Sequence, residues 1–216
     1  MGFTTEQVII FLVIVPEIAA AVVGAVKWKH LPANLRPLAL LTFFALLTEL
    51  VSRVYWLLHV SNLFMWPIYI GVEFALLVWM YSLIIKNNVL LKFRWVVVAT
   101  MIGMLTIEEI GRLGQPDNVD NIGRSVESVL VIGLVLLYYY TSFKEMRVLY
   151  IWKDPVFWIS TALLIFFAGN FLIYTFANFS IKYSQQLSYQ IWALHGVLTM
   201  LLYSTYAYGL WISPRK

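Results

Sequence analysis

The sequence contains no cysteine, so disulfides, thiolate metal sites and a cysteine nucleophile are all excluded. It is also poor in charge. Only 12% of its 216 residues are Asp, Glu, Lys or Arg, whereas an ordinary soluble domain carries about 25%. So few charges could not cover a water-facing surface. What is abundant is apolar: 62% of the residues are hydrophobic, and nine Trp and thirteen Tyr suit the aromatic belts of membrane interfaces. The composition predicts an all-α membrane protein.

Seven segments are long and apolar enough to cross a bilayer, which takes about 20 residues each. We expect one seven-helix transmembrane domain over residues 1–216. The predicted spans are about 7–26, 37–59, 64–85, 92–110, 122–143, 155–177 and 189–211. Pro16 lies inside the first span and predicts a kink there. We do not interpret that span as a cleavable signal peptide, because no Lys or Arg precedes it and Pro16-Glu17 interrupts its apolar run.

The distribution of basic residues predicts the orientation of the bundle, because cytoplasmic loops are enriched in Lys and Arg. Eleven basic residues fall on one side: Lys27, Lys29, Arg36, Lys86, Lys92, Arg94, Lys144, Arg147, Lys153, Arg215 and Lys216. Three fall on the other: Arg112, Arg124 and Lys182. The N-terminus is therefore predicted outside and the C-terminus in the cytoplasm. Since topology explains the net charge of +4, that charge is no argument for nucleic-acid binding.

Ionisable groups inside spans are costly, usually face the bundle interior, and are functional candidates by default. The direction of each span places nearly all of them in the outer half. The main ligand-binding candidates are Glu49, Arg53, Glu73, Glu127, Asn170 and His195. Secondary candidates nearer the outer surface are His59, Glu108, Glu109, Arg112 and Arg124. The pattern predicts a polar, partly hydrated pocket that opens to the outside, in a layout like that of seven-helix receptors.

A purely structural role fits several of the same residues. Glu49 and Arg53 are spaced i,i+4, and Arg124 and Glu127 i,i+3, so each pair could neutralise itself on its own helix. Glu73 has no cationic neighbour in sequence and must find a partner on another helix or be neutral.

The remaining polar candidates also have a structural interpretation. Glu108, Glu109 and Arg112 fit a solvated helix end, and His195 fits a hydrogen-bonded core histidine. Both interpretations stay open at the level of sequence.

A weak internal repeat keeps a transporter among the alternatives. Spans one to three and five to seven share an orientation, with span four as a linker. The spacing from Glu73 to Tyr81 equals that from His195 to Tyr203. This 3+1+3 arrangement is that of parallel-repeat carriers.

Signatures of catalysis are missing. The last span has no Lys for a retinal Schiff base, no predicted span contains Asp for a metal centre, and neither G-x-S-x-G nor a phosphate-binding Gly loop occurs. We therefore predict no cofactor, no metal and no catalytic residue. Glu/His acid–base chemistry in the outer pocket is the enzymatic alternative that remains.

Two stretches resemble a known group of proteins. Val156-Phe157-Trp158-Ile159-Ser160 followed by Ala168-Gly169-Asn170-Phe171 is one, and the ending from Ile191-Trp192 to Trp211 closed by Arg215-Lys216 is the other. Together they are similar to uncharacterised seven-transmembrane-helix inner-membrane proteins of Bacteroidota, often encoded beside sensor histidine kinases. The resemblance implies a bacterial inner-membrane location and a part in signalling.

We interpret the sequence as a receptor-like module that binds a small molecule or ion and signals to a cytoplasmic partner, such as a histidine kinase. Membrane lipids surround it. The alternatives are a small-solute or proton-coupled transporter and a structural membrane subunit.

Overall fold

In the computed structural model, residues 5–112, 122–144 and 151–214 are described, and all regular structure within them is helical. The α-helices are α1 Thr5–Leu12, α2 Ile14–Lys27, α3 Arg36–Leu57, α4 Met65–Ile85, α5 Asn88–Arg112, α6 Ile122–Lys144, α7 Pro155–Tyr183 and α8 Gln185–Ile212. Short 3-10 segments occupy Trp28–His30 and Ile151–Lys153. Five helices of the described ranges, α3 to α7, are long and apolar enough to cross a membrane. The chain is thus a helical membrane protein.

The first predicted span consists of two helices, α1 and α2, that are separated by Val13 alone. Pro16 explains the break, because a proline ring inside a helix clashes with the carbonyl four residues earlier. That residue is Leu12, where α1 ends. The break lies where Pro16 predicts a kink. Counted with α1 and α2 as one broken rod, the described residues form seven rods.

Six of these rods close into a ring. Each of α2, α3, α4, α6, α7 and α8 packs against the next, and α8 packs back against α2. α1 also packs on α8, whereas α5 lies outside the ring against α4 and, to a smaller extent, α6. Fully buried aromatic side chains fill the ring, among them Phe74, Tyr81, Phe167 and Tyr206. The ring allows several helices to contribute side chains to one interior space.

Side-chain contacts show that successive rods alternate in direction. Lys27 Nζ donates to the carbonyl oxygen of Trp211 at 2.6 Å, which joins the last turns of α2 and α8. The Tyr138 hydroxyl donates to Asp154 at 2.9 Å, which joins the end of α6 to the start of α7. At the opposite end of the bundle, the N–H of Gly123 donates to Glu108 at 2.8 Å. We call the end marked by Lys27 and Trp211 the basic end.

Candidate functional site

A cavity of about 480 Å³ opens at the end of the bundle opposite the basic end. Side chains from α2, α3, α4, α6, α7 and α8 line it, together with the α3–α4 connection. Its polar lining is Glu17, Thr48, Glu49, Ser52, Asn62, Arg124, His195 and Thr199. Its aromatic lining is Trp66, Tyr69, Phe166, Tyr174, Trp192 and Tyr203. Of the main ligand-binding candidates, Glu49 and His195 line this cavity.

A buried ion cluster joins α4 to α6 beside the cavity. Arg124 Nη1 donates to Glu73 Oε2 at 2.5 Å and to Glu127 Oε2 at 2.6 Å. All three side chains are at most 4% exposed. Glu73 thus finds the partner on another helix that its position requires, and the i,i+3 pair of Arg124 and Glu127 also forms. Arg124 reaches the cavity, whereas Glu73 and Glu127 lie behind it and do not line it.

Aromatic rings surround the guanidinium of Arg124. Its Cζ lies 5.6 to 5.9 Å from the ring centroids of Tyr69, Phe167 and Tyr174, within cation–π range. The Tyr69 hydroxyl in turn approaches Glu73 Oε1 at 3.4 Å and the Tyr203 hydroxyl at 3.2 Å. Arg124 is consequently held by ion pairs and by rings, and it forms a fixed part of the cavity wall.

His195 is held by Asn170. The two atoms joined, His195 Nδ1 and Asn170 Oδ1, are 2.8 Å apart and connect α8 to α7. Because the amide oxygen only accepts, this bond assigns the hydrogen to Nδ1. Asn170 is fully buried and does not line the cavity, whereas His195 does. Asn170 therefore orients a cavity residue from behind.

Glu49 and Arg53 pair with each other on α3, as their spacing predicts. Arg53 Nη2 lies 2.7 Å from Glu49 Oε1, with both side chains about one-third exposed. Arg53 also reaches the carbonyl oxygen of Phe11 at 3.3 Å and so ties α3 to α1. Glu49 lines the cavity, whereas Arg53 is not among its lining residues.

Three of the secondary candidates, His59, Glu108 and Glu109, lie away from the cavity lining. His59 is exposed beyond the end of α3, with a left-handed φ of 55°. Glu108 accepts from the N–H of Gly123 and so links α5 to α6. Glu109 is half-buried near the end of α5, and the side chain of Arg112 lies outside the described part of the structure.

Sequence reasoning missed Glu17 as a site residue. Its side chain lines the cavity, it is 6% exposed, and its Oε2 has no hydrogen-bond partner among the described residues. An acidic residue inside an apolar span was a sufficient signal for it. The uncharged Trp66 and Trp192 were missed as well, because aromatic residues are common in every span and carry no such signal.

No protein-family model, curated protein or solved structure is significantly similar to this chain. Within the described ranges, no group of three or more His, Cys, Asp or Glu side chains is arranged to hold a metal ion. The cavity and its lining are therefore the basis for a functional proposal.

Proposed function

We propose that this chain is a seven-span receptor-like module of the bacterial inner membrane. It binds a small molecule or ion in the cavity, which faces the outside, and signals to a cytoplasmic partner. The observation that carries the proposal is the open cavity of about 480 Å³, a size typical of small-molecule sites. A structural subunit would need the closed charge pairs but not a cavity.

Alternating rods and asymmetric charge support the orientation. Lys27, Lys86, Lys144 and Lys153 all lie where helices end or begin at the basic end. Because basic loops remain in the cytoplasm, the cavity at the other end faces outward. α1–α2 and α8 serve as the first and seventh spans, since both pack into or onto the ring.

Coupling to a partner follows from the helices that the cavity residues share. A ligand that contacts Arg124 and His195 contacts α6 and α8 directly. It can also displace α4 and α7, because Glu73 on α4 is paired with Arg124 and Asn170 on α7 is bonded to His195. α4 and α6 then run to the basic end, and we propose that the partner binds there, at the basic segments around residues 86–94 and 144–153. Of this surface, residues 145–150, including Arg147, lie outside the described residues. A histidine kinase is the partner that the family resemblance suggests.

The absence of cysteine makes this orientation directly testable by single-cysteine labelling. Ser52→Cys places a thiol in the cavity lining. We expect a membrane-impermeant methanethiosulfonate reagent, added outside intact spheroplasts, to modify it. Ser160→Cys is the control, because Ser160 is fully buried and bonded to Tyr81 at 2.8 Å. Modification of Ser52→Cys only from the cytoplasmic face would contradict the proposed orientation.

The same reagent tests signalling, because a bulky group on Ser52→Cys occupies the cavity. In membranes that also contain the histidine kinase proposed as the partner, we expect labelling to change the rate of autophosphorylation. The unlabelled variant and the reagent-treated wild type are the controls. Complete labelling without any change in autophosphorylation would count against a receptor.

The order of the ring favours a carrier as the second candidate. The three rods α1–α2, α3 and α4 form one half, and α6, α7 and α8 form the other. The halves meet where α4 packs on α6 and where α2 packs on α8, while α5 stays outside. This order of neighbours is compatible with a 3+1+3 parallel repeat, and parallel repeats are a known transporter design. A carrier exposes its site alternately, so it predicts that Ser52→Cys is labelled from both faces of the membrane.

A further inference from the structure

We propose that the ligand of the cavity is a small organic cation and that Glu17 is its counter-ion. This inference rests on the proposed function, since it names the chemical class that the same cavity takes. It starts from the one cavity carboxylate that the described residues leave without a partner atom at Oε2.

Glu17 is positioned as a binding group and not as a packing device. It is 94% buried within α2, yet it lines the cavity, and no hydrogen-bond donor of the described residues reaches its Oε2. A buried carboxylate is costly unless a cation or donors satisfy it. Oε2 itself is enclosed by protein atoms. Because Glu17 lines the cavity, a cation bound there would compensate the charge of its carboxylate.

The two guanidinium groups near the cavity each have an ion-pair partner. Arg53 pairs with Glu49 on α3, and Arg124 Nη1 is divided between Glu73 and Glu127. The carboxylates of these pairs and Glu17 outnumber the two guanidinium groups. Glu17 is the carboxylate of this set that has no ion-pair partner among the described residues. The cavity therefore attracts positive charge.

The aromatic lining suits a cation of this kind. Tyr69 and Tyr203 line the same cavity as Glu17, so a cation bound there meets aromatic side chains as well as the carboxylate. Trp66 and Trp192, whose ring centroids are 6.3 Å apart, line the same cavity. Indole and phenol faces attract ammonium groups, and they do so most strongly where water is excluded. A carboxylate surrounded by aromatic rings selects alkylated ammonium ions over metal ions, which need several oxygen ligands.

An anionic ligand fits these groups less well. Arg124 is the guanidinium in the lining, and its Nη1 already donates to two carboxylates. The Nε of Arg124 has no partner among the described residues. An anion that approached it would still face those two carboxylates, as well as Glu17 and Glu49 in the cavity lining, as like charges. A cation meets no such repulsion.

The test compares choline with its uncharged isostere, 3,3-dimethyl-1-butanol, and with benzoate as an anion. Binding to the purified full-length protein in detergent is followed by calorimetry and by the shift of the thermal unfolding midpoint. We expect choline to bind at least about tenfold more tightly than the isostere, and benzoate not to bind. Equal affinity for choline and the isostere overturns the inference, and so does the absence of binding by choline and by tetramethylammonium.

Glu17→Gln removes the charge and keeps the shape, and we expect it to weaken choline binding about tenfold or more without affecting the isostere. Glu109→Gln is the matched control on α5, away from the lining, and leaves binding unchanged. If Glu17→Gln fails to fold, the wild-type comparison of choline with its isostere still decides. If only benzoate or the isostere binds, the proposal that the ligand is a cation is wrong, whereas the cavity is still a small-molecule site. The proposed function itself stands or falls on Ser52→Cys labelling.

Discussion

Arg124 compensates most of the buried charge in the bundle. It provides the cation for both Glu73 and Glu127, and each of the three side chains is almost fully buried. Replacing it by Met keeps an unbranched, flexible side chain and leaves two carboxylates without a cation. Breaking a buried ion pair by removing one partner costs about 3–5 kcal/mol. We expect Arg124→Met to lower the thermal unfolding midpoint strongly, or to prevent accumulation of folded protein, as measured by fluorescence-detected gel filtration.

Glu127→Gln is the control for Arg124→Met. It keeps the shape of the side chain and one hydrogen bond to Arg124, and Glu73 still compensates the guanidinium. We expect a much smaller loss of stability. Equal losses for Arg124→Met and Glu127→Gln would show that the cluster acts through packing and not through charge.

Asn170 and His195 provide a second test at the level of single residues. Asn170→Leu removes the acceptor for Nδ1 in the bundle interior, and an unsatisfied buried donor costs about 1–3 kcal/mol. Replacing both partners, by Asn170→Leu with His195→Phe, removes the unsatisfied group together with its partner. We expect the double variant to be more stable than Asn170→Leu alone, by thermal unfolding in detergent. Strictly additive losses would mean that the 2.8 Å contact contributes nothing.

The sequence predicts ion pairs within one helix but does not identify partners on different helices. The pairs of Glu49 with Arg53 and Arg124 with Glu127 follow from helical spacing, and both are present. The spacing also shows that Glu73 needs a partner on another helix. It could not identify Arg124 as that partner, because the choice depends on which helices are neighbours. Whether any of these residues binds a ligand stays a prediction.

At the level of helices, hydropathy predicted which segments are helical but not where the last helices meet. The apolar pattern predicts a gap between residues 177 and 189, whereas α7 reaches Tyr183 and α8 begins at Gln185. The reason is that a helix can continue beyond the hydrocarbon with polar side chains, which hydropathy does not count. Ser184, whose side chain caps α8 at the N–H of Leu187, is all that separates the two.

Close packing of α2 on α3 depends on Gly24. A Cβ at this position would lie 3.3 Å from Thr42 Oγ1 and 3.4 Å from Ala39 Cβ. Small residues allow such an approach between membrane helices. We expect Gly24→Leu to separate α2 from α3 and to cost about 1–3 kcal/mol of unfolding free energy. The measurements are a lower thermal unfolding midpoint and weaker ligand binding in the cavity.

Gly103 offers the matched control on α5. A Cβ there would meet no described atom within 4 Å. Gly103→Leu should be neutral or stabilising by up to about 1 kcal/mol, because Gly is a poor residue for a helix interior. A loss at Gly103 as large as that at Gly24 would indicate that Leu is harmful for a reason other than crowding.

At the level of the whole molecule, the order of helices around the ring determines which residues share the cavity. Glu17 and Tyr203 are far apart in sequence, yet both line it because α2 packs on α8. Composition and periodicity contain no information on that contact. The placement of α5 outside the ring is equally invisible, since its hydropathy resembles that of the helices inside.

Orientation is the property of the whole molecule on which the proposed function depends, and charge predicts it. Eleven basic residues on one side against three on the other should keep the basic end in the cytoplasm. We expect a C-terminal green fluorescent protein fusion to fluoresce and a C-terminal alkaline phosphatase fusion to be inactive. Phosphatase fused after Asn62, in the connection between α3 and α4, should be active, whereas phosphatase fused after Lys144 should not. The reverse pattern would place the cavity in the cytoplasm and make its ligand an intracellular one.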